Sequence, residues 1–214
     1  MSSLEAMGAR VVRVPADLGH AEAPALLRAA MAGLAPVAGV VHAAGIVDDS
    51  SVTRQTWPAF ASVLAPKAAG ALALRELVRD VAPDFVVFFS SAAAVIGSRG
   101  QAAYAAANGF LDGLASDLRS QGLRVWSINW GAWANAGMAA ALGEVEQRRL
   151  RERGHGLIDP QRGIVALERV LADDGHARVA VMPIDWARFG SGDPVAASRP
   201  LFAGLVTRSA AQAD

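Results

Sequence analysis

The chain predicts an α/β domain built on a parallel sheet, and three observations carry that expectation. Short β-branched and aromatic runs alternate with longer Ala- and Leu-rich stretches, the pattern of successive strand–helix–strand units. The run Phe85-Val86-Val87-Phe88-Phe89 is apolar without interruption, which marks a buried strand. Ser90 and Ser91 follow it at once, and the carboxyl ends of strands are where open α/β sheets bind ligands.

The elements follow in order. Residues 9–14 read as a strand, 21–33 as a helix and 37–42 as the next strand. A long helical region spans 55–81, interrupted near Pro66, whose nitrogen carries no hydrogen to donate. The strand from Phe85 leads into an alanine-rich helix over 101–119, and residues 123–129 form another strand. Residues 131–156 are rich in Ala, Gly, Met and Arg and read as an irregular segment able to close over a ligand. A helix over 160–172 and a strand over 177–182 complete the alternation. The last residues (Thr-Arg-Ser-Ala-Ala-Gln-Ala-Asp) read as the start of a linker, so the domain is expected over 1–206 and the tail over 207–214. The sequence shows no internal repeat.

The 214 residues are enough for one domain with a substantial core. Apolar residues make up 53% and charged ones 19%, a globular balance rather than a disordered one. Twenty basic residues offset twenty acidic ones, so there is no electrostatic footprint for nucleic acid or an anionic membrane. The absence of cysteine excludes disulfides and thiolate metal sites and fits a reducing, cytoplasmic setting. The start, Met1-Ser2-Ser3-Leu4-Glu5, has neither the basic flank nor the apolar core of a signal peptide. The most apolar stretches are broken by His, Asp or Arg short of a membrane span. A soluble protein is expected.

Tyr104, Asn108, Ser91 and Lys67 are the residues from which chemistry is expected. Tyr104 and Asn108 are four apart and share one helix face, and the strand end brings the Ser91 hydroxyl to the same crevice. Tyr104 is the only tyrosine and Lys67 the only lysine. Reducing a ketone needs a hydride on carbon and a proton on oxygen. A phenol titrates near pH 10, so it serves as acid only beside a group, such as an ammonium, that favours the phenolate. Taken singly, each residue has a plainer reading: a core aromatic, a solvated lysine, a polar helix residue. Asp17 reads equally as an N-cap for the helix near residue 21. Trp57, Trp126 and Trp186 are expected in packing, His20, His155 and His176 on the surface, and the arginines between Arg148 and Arg153 on a solvated helix face.

In order and spacing, these residues resemble the short-chain dehydrogenase/reductase superfamily, and within it the ketoreductase domains of modular type I polyketide synthases. Ordinary members of the superfamily place a lysine four residues after the tyrosine. Here Asn108 stands at that place and Lys67 lies upstream, as in the polyketide synthase domains. Twenty-four residues separate Lys67 from Ser91 and thirteen separate Ser91 from Tyr104. His42-Ala43-Ala44-Gly45, Phe89-Ser90-Ser91, the run from Gly100 through Tyr104 to Asn108, Leu111-Asp112, Asn129-Trp130-Gly131 and Asp185-Trp186 match as well. The resemblance runs from about Leu4 to about Leu205.

That resemblance implies a Rossmann-like, doubly wound parallel sheet. No strand, glycine-rich turn and helix precede residue 9, and the first eight residues contain one glycine, Gly8. The chain is therefore expected to lack the first two strands and the phosphate loop, leaving the strand at 9–14 without neighbours and the strand at 37–42 with an open edge.

The implied function is NADPH-dependent reduction of the β-keto group of a polyketide intermediate held on the phosphopantetheine arm of an acyl carrier protein. Tyr104 would donate the proton, and Ser91 would bind the substrate carbonyl. Lys67 would hold the nicotinamide ribose and tune Tyr104, with Asn108 positioning Lys67. Asp17 and Leu18 would lie at the adenine, Ala43, Ala44 and Gly45 at the adenosine ribose, and Gly131 and Ala132, between Trp130 and Trp133, at the nicotinamide. Asp49, Trp133 and Met138 would guide the substrate. Val47-Asp48-Asp49 is close to the Leu-Asp-Asp of the family group that makes the D-alcohol, and Ile96 stands where the opposite group carries a Trp. The acids of that turn read alternatively as caps for a helix near Thr53. The alternative to a working reductase is a catalytically incompetent fragment or half-domain that needs a partner segment, the missing N-terminal part, to bind cofactor. A fatty acid synthase type of ketoreductase would share the same chemistry.

Overall fold

The structure, a computed structural model, describes residues 3–134 and 143–211. Helices α1 (Ser3–Ala6) and α2 (Ala23–Met31) precede strand β1 (Gly39–His42). A 3₁₀ turn (Val52–Arg54) leads to α3 (Trp57–Val81), then β2 (Phe85–Ser91), α4 (Ala93–Ile96), α5 (Ala102–Ser120) and β3 (Val125–Trp130). The chain continues through α6 (Glu144–Glu152), α7 (Pro160–Ala172), β4 (Arg178–Val181), α8 (Trp186–Gly192), α9 (Pro194–Ala197) and α10 (Pro200–Ala211).

The sheet is parallel throughout, in the order β1-β2-β3-β4, with Val40 opposite Val86, Phe89 opposite Ile128 and Trp130 opposite Val181. Each strand is joined to the next by a helix, α3, α5 or α7, as parallel pairing demands. Strand residues alternate between two cores. Val86, Phe88 and Val125 pack with Leu111, Leu114, Ala115 and Leu118 of α5 and with Ala71 and Val78 of α3. Val87, Trp126, Ile128 and Trp130 pack on the other side with Val170 of α7. Helices on both faces explain why β2 is apolar without alternation from Phe85 to Phe89, and why all six residues of β3 are buried although Ser127 and Asn129 alternate there with Trp126, Ile128 and Trp130. The α/β class and the parallel sheet are as the alternation predicts.

The helix starts have local causes. The Thr56 hydroxyl accepts from Ala59 N at the head of α3, and Asp159 accepts from Gln161 N and Arg162 N at the head of α7. Pro66 does not interrupt α3: the helix runs unbroken, burying Val63, Lys67, Gly70, Ala71, Leu74, Leu77 and Val78, and that packing outweighs one missing backbone hydrogen bond. By length and composition α3 could cross a membrane, contrary to the expectation that no stretch qualifies. It packs instead along α5 with its one lysine buried.

Several expectations are corrected. Residues 9–14 form no strand, because strand character needs a paired neighbour and none of the described residues pairs there. The irregular segment over 131–156 contains α6, made of strong helix formers and stopped at Gly154, whose φ of +80° suits glycine. The segment beyond residue 206 is helical to Ala211. Trp57 is exposed, stacked only on Phe60, whereas Trp126 is fully buried and Trp186 packs against Phe189 and Phe202. His155 is half-buried, edge-on to Phe189, unlike the exposed His20 and His176. Arg148, Arg149, Arg151 and Arg153 are exposed, as expected.

Candidate active site

β2 and β3 end level, Ser91 opposite Trp130, and β1 ends a little earlier, His42 opposite Phe88; the carboxyl ends of these parallel strands bring the expected residues together. β1 runs into Ala43-Ala44-Gly45, β2 ends at Ser91, and β3 runs into Gly131-Ala132. α5 begins beside them and carries Tyr104 in its first turn. Tyr104 is buried with Val63, Ala93 and Ala103. Burial pushes the phenol above its ordinary pKa, the Ser91 and Asn108 side chains work in the opposite direction, and the Asp49 charge adds to the rise.

Lys67 reaches the site from α3, only 3% exposed. Its Nζ donates to Phe89 O at 2.8 Å and lies 5.8 Å from the centre of the Tyr104 ring. Burial brings its pKa down to about 8, with the Asp112 charge opposing the fall, so at neutral pH it is still mainly the ammonium. Gly45 makes room for it: a Cβ there would lie 2.8 Å from Lys67 Cε. His42 stands beneath, fully buried and edge-on to Phe88, with Nε2 3.3 Å from Lys67 O. Burial lowers its pKa to about 4, so the ring is neutral and Nε2–H donates to that carbonyl.

Asn108, completely buried, donates from Nδ2 to Tyr104 O at 2.7 Å, while its Oδ1 has no hydrogen-bond partner. Behind it lies a buried polar cluster that sequence reasoning missed. Ser90 Oγ donates to Asn108 O, and Asn129 Nδ2 reaches Ser90 Oγ and Asp112 Oδ2, while Ser127 Oγ donates to Asp112 Oδ1. Two signals were legible. Tyr104, Asn108 and Asp112 form an i, i+4, i+8 stripe on one helix face, and Ser127 and Asn129 alternate with Trp126, Ile128 and Trp130.

The remaining expected residues divide. Asp49 accepts from Gln101 Nε2 at 3.1 and 3.2 Å, tying its loop to the start of α5 rather than capping a helix near Thr53. Asp17 caps its own turn through Gly19 N, not α2, and Leu18 packs near Gly70 of α3. Ala43 and Ala44 are exposed at the end of β1. Gly131 lies close against Met182, and Ala132 O accepts from Ile158 N. Trp133 packs on Trp130 and over Gly163 of α7, away from Tyr104. Met138 falls outside the described residues. A surface groove of about 680 Å³ between α7 and β4, lined by Val165, Ala166, Val170 and Val181 among others, contains none of the acid–base residues.

The nicotinamide end of a dinucleotide fits what is present: Lys67 has donors beyond its one bond to Phe89 O, and Asn108 Oδ1 is a buried acceptor without a partner. Among the described residues no glycine-rich turn leads from a strand into a helix, so nothing comparable is offered to a pyrophosphate.

A family model described as the KR domain matches residues 1–135. The chain belongs to the KR domain family. This KR domain is 41% identical over 81% of its length to a 6-methylsalicylic acid synthase of Penicillium terrestre, covering 10% of that protein. It is 39% identical over 94% of its length to polyketide synthase GfsA of Streptomyces halstedii, covering 3% of it. Among solved structures it superposes on PlmKR1, a ketoreductase from the first module of phoslactomycin biosynthesis in Streptomyces sp. HK803, with a TM-score of 0.85 and 37% identity over 94% of the KR domain. An A-type ketoreductase from a modular polyketide synthase gives a TM-score of 0.84 and 35% identity. The KR domain spans less than half of either solved chain (46% and 43%) and a small part of the curated relatives.

Proposed function

We propose that the chain carries the acid–base half of an NADPH-dependent ketoreductase acting on a β-ketoacyl thioester on an acyl carrier protein, in a cytoplasmic polyketide synthase. The meeting of Lys67, Ser91, Tyr104 and Asn108 at the strand ends carries this reading. The reduced nicotinamide would supply a hydride to the β-carbon. Tyr104 gives its phenolic proton to the oxygen that gains the electron pair, and Ser91 hydrogen-bonds that oxygen as charge develops. Lys67, as the ammonium, holds the cofactor ribose and favours the phenolate left on Tyr104. Asn108 positions Lys67 through its backbone or a water. Asp17, Leu18, Ala43, Ala44 and Gly45 would line the adenosine end, Gly131 and Ala132 the nicotinamide, and Asp49 the entry of the phosphopantetheine arm. Because the Asp49 loop matches the D-alcohol group and Ile96 leaves no indole in the way, the product assigned is the D-β-hydroxyacyl thioester. The test is to incubate a form of the chain that binds NADPH with that cofactor and a β-ketoacyl thioester, follow loss of reduced nicotinamide, and resolve the alcohol by chiral chromatography. D-product supports the reading, and mainly L-product overturns the stereochemical assignment.

A second reading is favoured by the open edge of β1 and the unpaired stretch 9–14. On that reading the chain binds cofactor only after another segment pairs with β1. Fluorescence titration separates the two: micromolar NADPH affinity for the chain alone excludes this reading.

A further inference from the structure

Among the described residues, Lys67 is the only buried lysine or arginine and Asp112 the only buried aspartate or glutamate. Both lie on the α5 side of the sheet, the lysine on α3 and the aspartate two turns beyond Tyr104 on α5. A buried carboxylate is costly unless hydrogen bonds and an opposite charge compensate it. Asp112 has two donors, Ser127 Oγ at 2.6 Å and Asn129 Nδ2 at 2.8 Å. From Asn129 the chain of contacts runs to Ser90 Oγ at 2.9 Å, from Ser90 to Asn108 O at 3.2 Å, and from Asn108 Nδ2 to Tyr104 O at 2.7 Å. One carboxylate thus stands at the root of the hydrogen bonds that end at the backbone of Tyr104.

We infer that Asp112 is a positioning residue for the acid–base pair: its carboxylate is the buried counter-charge that keeps Lys67 an ammonium, and its bonds through Asn129 and Ser90 hold the turn carrying Tyr104 and Asn108. The role presupposes the pairing of Lys67 with Tyr104 under the proposed function. Lys67 lies by the neutral His42 of β1 and over the Tyr104 ring, the buried Asp112 sits on α5, the helix packed along α3, and Asp49 acts on Tyr104 from the loop after β1. Of these, only Asp112 supplies a charge that favours the ammonium.

Asp112→Asn separates charge from hydrogen bonding. The amide oxygen still accepts from Asn129, and its NH₂ donates to the Ser127 hydroxyl, so the network is kept and only the charge is lost. Lys67 and Tyr104 are the sole lysine and tyrosine, so labelling either amino acid gives an NMR probe of that residue alone. In the full chain, Lys67 is expected to titrate near 8. In Asp112→Asn it should titrate lower, and Asp112→Glu should move it back. The Tyr104 ring signal should stay in place in Asp112→Asn and shift in Asp112→Ala, which cuts the bonds as well. A folded Asp112→Asn chain whose Lys67 titrates as in the unchanged protein overturns the inference. If that variant does not fold, Asp112→Thr, whose hydroxyl still accepts from Asn129, is read against the same two outcomes. No turnover is measured, so a failure of the proposed reductase activity is distinguishable from a failure of this role.

Discussion

His42 and Lys67 are both held below their ordinary proton affinity by burial, and they act on stability in different pH windows. For Lys67 the folded pKa is about 8 and the unfolded value 10.5. Below pH 8 both states carry the proton and the buried ammonium is a cost. Between 8 and 10.5 the unfolded chain holds a proton the folded chain has lost, so stability rises with pH. The full effect is about 3 kcal/mol, so Lys67→Met should abolish the alkaline rise in the urea midpoint. For His42 the folded value is about 4 and the unfolded 6.5. Above 6.5 both states are neutral; as pH falls towards 4 the unfolded chain takes up the proton first and stability drops. That acid loss should be smaller in His42→Gln, which can still donate to Lys67 O. Tyr104→Phe removes a hydroxyl and leaves the ring packing. It should lower ketone reduction by roughly 10²–10⁴-fold in a form that binds NADPH, with cofactor affinity nearly unchanged. Near-normal turnover would assign the proton to another group.

At the scale of elements, connections do as much as helices and strands. The Asp49 loop is pinned to Gln101 at the start of α5, and Ser50 N donates to Gly100 O, so the turn after β1 is tied to the head of the helix that carries Tyr104. At the other end of the chain Gly154 both terminates α6 and lets α8 approach. A Cβ at Gly154 would lie 2.5 Å from Asp185 O and 2.6 Å from Phe189 N, in a backbone conformation that already strains any side chain. Gly154→Ala should therefore cost roughly 2–4 kcal/mol, read as a lower urea midpoint with an unchanged slope.

For the molecule as a whole, the sheet is covered unevenly. Among the described residues β1 is paired on one side only, and while Val40 packs into the α5-side core, Val41 points the other way and is 51% exposed. An apolar strand with a free edge is a template for pairing with another strand. Val41→Lys should suppress concentration-dependent association, measured by light scattering, without lowering thermal stability. An unaltered scattering profile would place the association elsewhere.

Local pattern was enough for much of this. An uninterrupted apolar run located β2, because a strand buried on both faces has little polar alternation to confuse it, and Trp126 and Ile128 marked β3 in spite of the intervening Ser127. The helix expected over 160–172 matches α7 to the residue, and the structure shows why its start is local: Pro160 stands at the first position and Asp159 caps it within one turn. The spacing of Lys67, Ser91, Tyr104 and Asn108 was legible because each stands at a fixed offset on α3, β2 or α5. What local pattern could not settle were questions of partnership. Residues 9–14 have strand composition but form no strand, because a strand exists only when a neighbour accepts its hydrogen bonds. Trp133 follows β3 as predicted, yet the gap above Gly163 draws its ring towards α7. Asp112, Ser127 and Asn129 look like ordinary polar residues in sequence. Only the packing of α5 onto β2 and β3 closes them off from water, and burial turns a carboxylate, a hydroxyl and an amide into one connected support behind Tyr104.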